Sequence, residues 1–274
     1  DDADELVNFA EKHAMQIHGH AFVWHIQQPK WITDNEKQWT RESLMQVLRE
    51  HIFAVAGRYK GRVQIWDVVN EAIGDNGELR DTIWLRVIGP DYIELAFRWA
   101  HEADPSAKLI YNDYDGEGLN NKSNKIYELV RGLKQKGAPI HGIGLQMHLD
   151  LDRVPPARDI AANIKRLGEL GLDVHVTEMD VRIKEPITPE KLEKQRAVYR
   201  DVLQVALRSG VCKSFTFWGV SDVKSWIPKW FPGYNDGLPF DREFKPKPAY
   251  HGLMEALGAP LSTQKGKESD NPQQ

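Results

Sequence analysis

Short apolar runs alternate along this chain with longer segments whose apolar residues recur at helical spacing. The runs are rich in Val and Ile and read as buried strands; the longer segments read as amphipathic helices. A helix opens over 2–10, with Asp2, Asp4 and Glu5 in its first turn and an apolar face of Leu6, Val7, Phe9 and Ala10. A strand is expected at 15–20, followed by a polar and aromatic segment over 22–31. Leu44, Val47, Leu48, Ile52 and Val55 mark the next helix, and 63–71 the next strand. The alternation continues with helix 92–103, strand 108–114, helix 122–136 and strand 142–148. A helix through Ile160, Ile164, Leu167 and Leu170 leads to strand 174–180. Thr188-Pro189 opens a helix reaching Arg208, strand 213–219 follows, and helix 249–257 is stopped by Gly258. Six strands separated by helices imply an α/β fold with a parallel sheet. Residues 1–258 form one domain in this reading, and the polar stretch 259–274, which has no apolar face, is expected to be disordered.

Two strands end in a way that packing does not require. The run Val63-Gln64-Ile65-Trp66-Asp67-Val68-Val69 closes on Asn70-Glu71, and Val174-His175-Val176-Thr177 closes on Glu178-Met179-Asp180. In parallel α/β folds the C-terminal strand ends face the site, so polar residues placed there read as chemical groups. Two carboxylates on two strand ends suit glycosidic bond cleavage: one protonates the leaving oxygen, the other attacks the sugar carbon or activates water. The plain alternative is a pair of structural, hydrogen-bonded acids. Trp24, Trp218 and Trp226 lie beside strand ends and offer flat faces that match the C–H face of a sugar ring. Each of them could equally be core. Asp67 shares strand parity with Glu71, points inward, and needs a partner that the sequence does not identify.

Composition narrows the class. The net charge of −4 and the absence of a basic block argue against nucleic-acid binding. No apolar run approaches the roughly 18 residues of a membrane span. The single cysteine, Cys212, excludes an internal disulfide and a multi-cysteine metal site, and reads as a buried inert thiol.

The motifs resemble a known family. Trp66-Asp67-Val68-Val69-Asn70-Glu71-Ala72, Thr177-Glu178-Met179-Asp180 and Phe217-Trp218-Gly219-Val220-Ser221-Asp222, in this order, are similar to glycoside hydrolase family ten, the retaining endo-β-1,4-xylanases. Gly19-His20-Ala21-Phe22-Val23-Trp24-His25, Asn112-Asp113-Tyr114 and Gln146-Met147-His148 extend the resemblance over most of 1–258. It implies a (β/α)8 TIM-barrel fold, xylan and xylo-oligosaccharides as partners, and no cofactor or metal. Glu71 would be the acid/base, Glu178 the nucleophile, and Asn70 the ligand of the sugar 2-hydroxyl. His148 would hydrogen-bond Glu178, and Gln146 would bridge the acid/base region. His20, Trp24 and Gln27 would line the glycone side, Trp218 and Trp226 the wall above the sugar, and Asn112 and Tyr114 the aglycone side. Asp180 and Asp222 are expected to be supporting or structural acids.

The resemblance is incomplete. The six βα units correspond to the family's third strand onwards, so the first two strands and the glycone-gripping residues that follow them are expected to be missing. Open edges on strands 15–20 and 213–218 would then invite pairing, and a homo-oligomer filling the gap is expected. Extracellular action is expected from a polymeric substrate alone, since no signal peptide is read in these residues. Three other functions fit parts of the pattern. One is a sugar-binding remnant without turnover. Another is a metal hydrolase using His18, His20, His148 and Asp222. The third is a hydrolase acting on β-glucan or mannan.

Overall fold

A computed structural model describes residues 2–258; the tail expected to be disordered lies outside the described residues. The strands are β1 (His18–Val23), β2 (Ile65–Asn70), β3 (Lys108–Asp113), β4 (Gly142–Leu145), β5 (His148–Asp150), β6 (Asp173–Lys184), β7 (Cys212–Phe217) and β8 (Tyr234–Asn235). The helices are α1 (Asp2–Lys12), α2 (Lys30–Thr33), α3 (Arg41–Arg58), α4 (Tyr92–Ala103), α5 (Asn121–Gln135), α6 (Ala157–Glu169), α7 (Pro189–Ser209), α8 (Ile227–Trp230) and α9 (Pro248–Ala256). The main sheet runs β1-β2-β3-β4-β6-β7, all parallel. The short β5 carries the line of β4 along the later half of β6, and β8 pairs antiparallel with the end of β6. Among the described residues β1 has no partner beyond β2, and β7 has none beyond β6. No described helix is long and apolar enough to cross a membrane.

The sequence pattern explains most of these elements. Central strands carry fully buried Val68, Ile110, Tyr111, Ile143, Val174 and Val176, as strands covered on both faces must. Thr188 caps α7 by accepting from Lys191 N at 3.3 Å, with Pro189 in the first helical position. Thr40 and Asn120 cap α3 and α5 in the same way through Ser43 and Ser123.

Three boundaries differ from the expectation. β1 lies at 18–23 rather than 15–20, because pairing with β2 begins at His18↔Ile65. The expectation included His18 and His20, whose side chains serve Asp67, but stopped short of Ala21-Phe22-Val23, which complete the strand. The expected strand 142–148 is broken at Gln146-Met147, where Met147 has φ +62°. Finally, β6 runs on to Lys184 and carries the buried Val181, Arg182 and Ile183 against β5 and β8. The expected apolar face of α1 is mostly uncovered: Val7 is buried, whereas Leu6 and Phe9 are 71% and 55% exposed.

Candidate active site

Glu71 follows directly on β2, and its backbone adopts the left-handed region at φ +57°. A residue with a side chain pays about 1–2 kcal/mol for that conformation. Two hydrogen bonds hold it: Glu71 N donates to Asn112 O at 2.9 Å, and Arg80 Nε donates to Glu71 O at 2.9 Å. Glu178 sits inside β6, where its N–H donates to Gln146 O at 3.1 Å. Both carboxylates are largely buried, at 9% and 5% exposure.

Buried amides connect the two acids. Asn112 Nδ2 donates to Glu178 Oε1 at 2.8 Å and to Asn70 Oδ1 at 3.0 Å. Gln146 Nε2 donates to Glu71 Oε1 at 3.1 Å and to Asn70 Oδ1 at 3.2 Å. Asn70 Nδ2 completes the chain by donating to Glu71 Oε1 at 3.3 Å. Turned over, the Asn70 amide would instead accept from Trp24 Nε1 at 3.1 Å. The first orientation is favoured, because the carboxylates already fix Asn112 and Gln146 as donors and an acceptor must face them. Gly144 makes the connection possible: a Cβ there would come within 2.1 Å of Asn112 Oδ1. Thr177 Oγ1 donates to that same oxygen at 2.8 Å.

Imidazoles frame the carboxylates. His148 bridges Glu178 Oε2, 3.1 Å from Nε2, and Asp180 Oδ2, 3.0 Å from Nδ1. Burial opposes its charging, but Asp180 and Glu178 outweigh burial and push it up to about 10. His148 is therefore a cation beside Glu178 at neutral pH. Asp180 Oδ2 also accepts from Trp226 Nε1 at 2.7 Å, which fixes that indole 4.7 Å, centroid to centroid, from the His148 ring. Trp218, 40% exposed, stands edge-on to both His20 and His148 at 5.6 and 6.2 Å. His20 lies 4.0 Å from Glu178 Oε1; burial lowers its proton affinity, but Asp67, Glu178 and Glu71 raise it above the ordinary value.

The partner that Asp67 needed is a pair of histidines from β1. Its two oxygens take His18 Nε2 at 2.8 Å and His20 Nδ1 at 2.7 Å. Burial raises the Asp67 carboxyl, and the two imidazoles overcome this and hold it below the usual range. This pairing counts against the metal reading. His20, Asp67 and Glu178 do bring ligand atoms within 4.8 Å of one another. The facing nitrogens of His18 and His20 are nevertheless committed to Asp67, both nitrogens of His148 to Asp180 and Glu178, and Asp222 to Lys247 Nζ at 2.6 Å.

Asn112 is placed differently from its expected role, and Tyr114 keeps only part of its surface for its own. Asn112 is fully buried with both polar atoms taken by protein groups, so it links the two acids and is not an aglycone-side contact. Tyr114 spends its hydroxyl on Asp75 Oδ1 at 2.5 Å and on Arg80 Nη2 at 2.9 Å, and Lys122 Nζ covers one ring face at 3.2 Å. Gln27 is exposed at φ +58° and joins His20, Trp24, Trp31 and Trp84 around a cavity of about 340 Å³. It makes no hydrogen bond to either glutamate among the described residues.

Sequence reasoning missed Arg80 and His25. Arg80 comes from the loop after β2 and clamps the Glu71 carbonyl, and no local pattern marks it. His25 Nδ1 lies 3.7 Å from Glu71 Oε2; burial first and Arg80 second lower its proton affinity, against the pull of Glu71. It is adjacent to Trp24 in the quoted motif, which was the available signal.

Comparison with known proteins shows the family of the chain. The family model for glycosyl hydrolase family 10 matches residues 1–256. Endo-1,4-beta-xylanase B of Thermotoga neapolitana is 44% identical over 258 residues, which cover 93% of this chain and 73% of that protein. Xylanase 10B from Thermotoga petrophila RKU-1, solved in complex with xylobiose, has a TM-score of 0.91 and 46% identity over 93% of this chain and 78% of its own. TsXylA, an intracellular xylanase from Thermoanaerobacterium saccharolyticum solved as a mutant with xylotriose, has a TM-score of 0.85 and 40% identity over 92% of this chain and 79% of its own. The described sheet, parallel and flanked by helices, is the αβ architecture of that family's (β/α)8 barrels. This chain belongs to glycosyl hydrolase family 10.

Proposed function

We propose that this chain cleaves internal β-1,4-xylosidic bonds of xylan with retention of configuration. Glu178 attacks the anomeric carbon while Glu71 gives its proton to the departing oxygen. Water then loses a proton to Glu71 and attacks the glycosyl-enzyme, which frees Glu178. Asn70 binds the 2-hydroxyl of the sugar at the cleavage point. The His148 cation, oriented by Asp180, keeps Glu178 aligned. His20, Trp24 and Gln27 line the glycone side, Tyr114 contributes an edge on the aglycone side, and Trp218 and Trp226 close over the ring.

The observation that carries this reading is the amide chain joining the two carboxylates. Asn112 and Gln146 each give one N–H to a glutamate and share the Asn70 oxygen, so the acids are held relative to each other before substrate arrives. Xylan as substrate is supported by the names of the relatives and by the xylobiose and xylotriose bound in two of them. Extracellular action is part of the proposal. The family does not fix the compartment, since one relative is described as intracellular. The direct test is reducing-sugar release from soluble xylan. Release that disappears in Glu178→Ala supports the reading; a folded wild-type chain that binds xylo-oligosaccharides without releasing sugar points to a binding protein instead.

We propose further that the described residues form six of the eight βα units of a family barrel, with β1 and β7 at the two ends of the described main sheet.

A further inference from the structure

The break between β4 and β5 leaves one backbone donor to be satisfied in an unusual way. Up to Leu145 the strand follows the ladder, pairing Leu145 with Val176. At Gln146 the N–H still donates to Asp113 O on β3 at 3.0 Å. Beyond Asp113 the β3 chain turns away, and Met147 N–H finds no carbonyl. It donates instead to the side chain of Glu117, at 2.9 Å to Oε1. Met147 is fully buried with φ +62°, a backbone state that a side-chain-bearing residue keeps only when its surroundings hold it. The two residues flanking it are Gln146, which reaches Glu71, and His148, which reaches Glu178.

Glu117 is itself fixed and buried, at 3% exposure. Asn163 on α6 donates from Nδ2 to Gly116 O at 2.6 Å and to Glu117 O at 3.2 Å, and Arg166 Nε donates to Asn163 Oδ1 at 2.8 Å. The charged neighbours of the carboxyl are Asp115 and His148, which act in opposite directions. No step of the hydrolysis uses this carboxyl, and an acid this buried needs a reason.

We propose that Glu117 is a positioning residue for hydrolysis: by accepting the Met147 N–H it fixes the turn that presents Gln146 to one glutamate and His148 to the other. Its side chain stands in for the missing ladder carbonyl. Losing that acceptor frees the strained turn and loosens both carboxylates at once, while the sugar-facing surface is untouched. The signature is therefore a fall in kcat with KM nearly constant, on unactivated and activated substrates alike. The inference rests on the hydrolytic reading above for its kinetic consequence, but not for its structural one.

The test compares three variants of the full chain. Glu117→Gln keeps an oxygen acceptor in place. Glu117→Leu removes it, and Glu117→Asp withdraws the acid by one carbon, out of reach. Two readouts are taken on folded protein: steady-state kinetics, and hydrogen exchange of the Met147 amide by NMR. Leu and Asp are expected to lower kcat roughly tenfold with KM within twofold, and to speed Met147 exchange by a similar factor. Gln is expected to stay within threefold of wild type on both. Because Asp keeps an acid in the pocket, it remains informative where Leu fails to fold. Folded Leu or Asp variants with wild-type kcat and wild-type Met147 protection overturn the proposal, as does a Gln variant impaired as much as they are. A wild-type chain without turnover refutes the hydrolytic reading alone, because Met147 exchange in the three variants still decides the role of Glu117.

Discussion

Glu71 carries the largest functional demand on a single residue: it is held in a left-handed backbone conformation and also takes part in a buried amide network. Replacing it with Gln preserves shape and loses the proton donor. Glu71→Gln is expected to lower kcat on xylan by roughly 10²–10⁴-fold. Aryl xylosides with good leaving groups need no such proton, so their burst of phenol release is expected to survive. Equal loss on both substrates would mean that Glu71 does not donate the proton. The sequence disclosed this residue because a carboxylate closing a buried apolar run has no packing role. It did not disclose how Glu71 is held. Arg80 is nine residues downstream in a loop, and its hydrogen bond to the Glu71 carbonyl depends on how that loop folds back. Asn112 was legible as a site residue and misread as a sugar contact. Its exposure, on which the distinction turns, depends on a close approach that Gly144 permits on the neighbouring strand.

At the scale of elements, β1 and β2 are joined by more than their ladder. His18 and His20 reach across to both oxygens of Asp67, which lies 2% exposed within β2. A buried carboxylate with two imidazole partners is costly to disturb, because removing it strands the partners that its charge stabilises. Asp67→Ala is expected to destabilise the fold by about 3 kcal/mol, read as a lower midpoint in urea unfolding with an unchanged slope. A change within about 0.5 kcal/mol would mean that solvent screens this cluster and that it does not tie β1 to β2. The seven longer helices and five of the six main strands were legible, because their apolar spacing is regular, whereas the one-turn α2 and α8 are too short to show a periodicity. The first strand was displaced by three residues: its opening His18-Gly19-His20 serves Asp67, so this polar stretch read as the strand's end, and Phe22 and Val23, which close it, were assigned to the segment beyond. The interruption at Met147 was invisible, since Gly142 to His148 reads as one continuous run and the acceptor that stabilises the break is thirty residues earlier in sequence.

For the whole molecule, buried acids shape the response to pH. Burial raises Glu117 to about 7, with Asp115 adding to the effect and Met147 N–H and His148 opposing it. Burial likewise raises Asp113 to about 6 against the pull of Lys122. Groups whose folded values lie above their unfolded ones bind more protons when folded. Their contribution is complete below the unfolded value and is lost as pH rises through the folded one. For Glu117 this window runs from about 4.5 to about 7 and amounts to about 3 kcal/mol. Glu117→Gln removes that titration. Its melting temperature relative to wild type is therefore expected to rise by several degrees between pH 5 and pH 8; a constant difference across that range would show that Glu117 ionises normally. The account as a whole stands on two carboxylates acting in sequence on one sugar carbon. The most direct measurement follows the first anomer released from a xylo-oligosaccharide by ¹H NMR, with Glu178→Ala as control. Two displacements at that carbon predict the β-anomer first, mutarotating later to the equilibrium mixture, and no product from the control. First release of the α-anomer, or unchanged release by Glu178→Ala, would contradict the account.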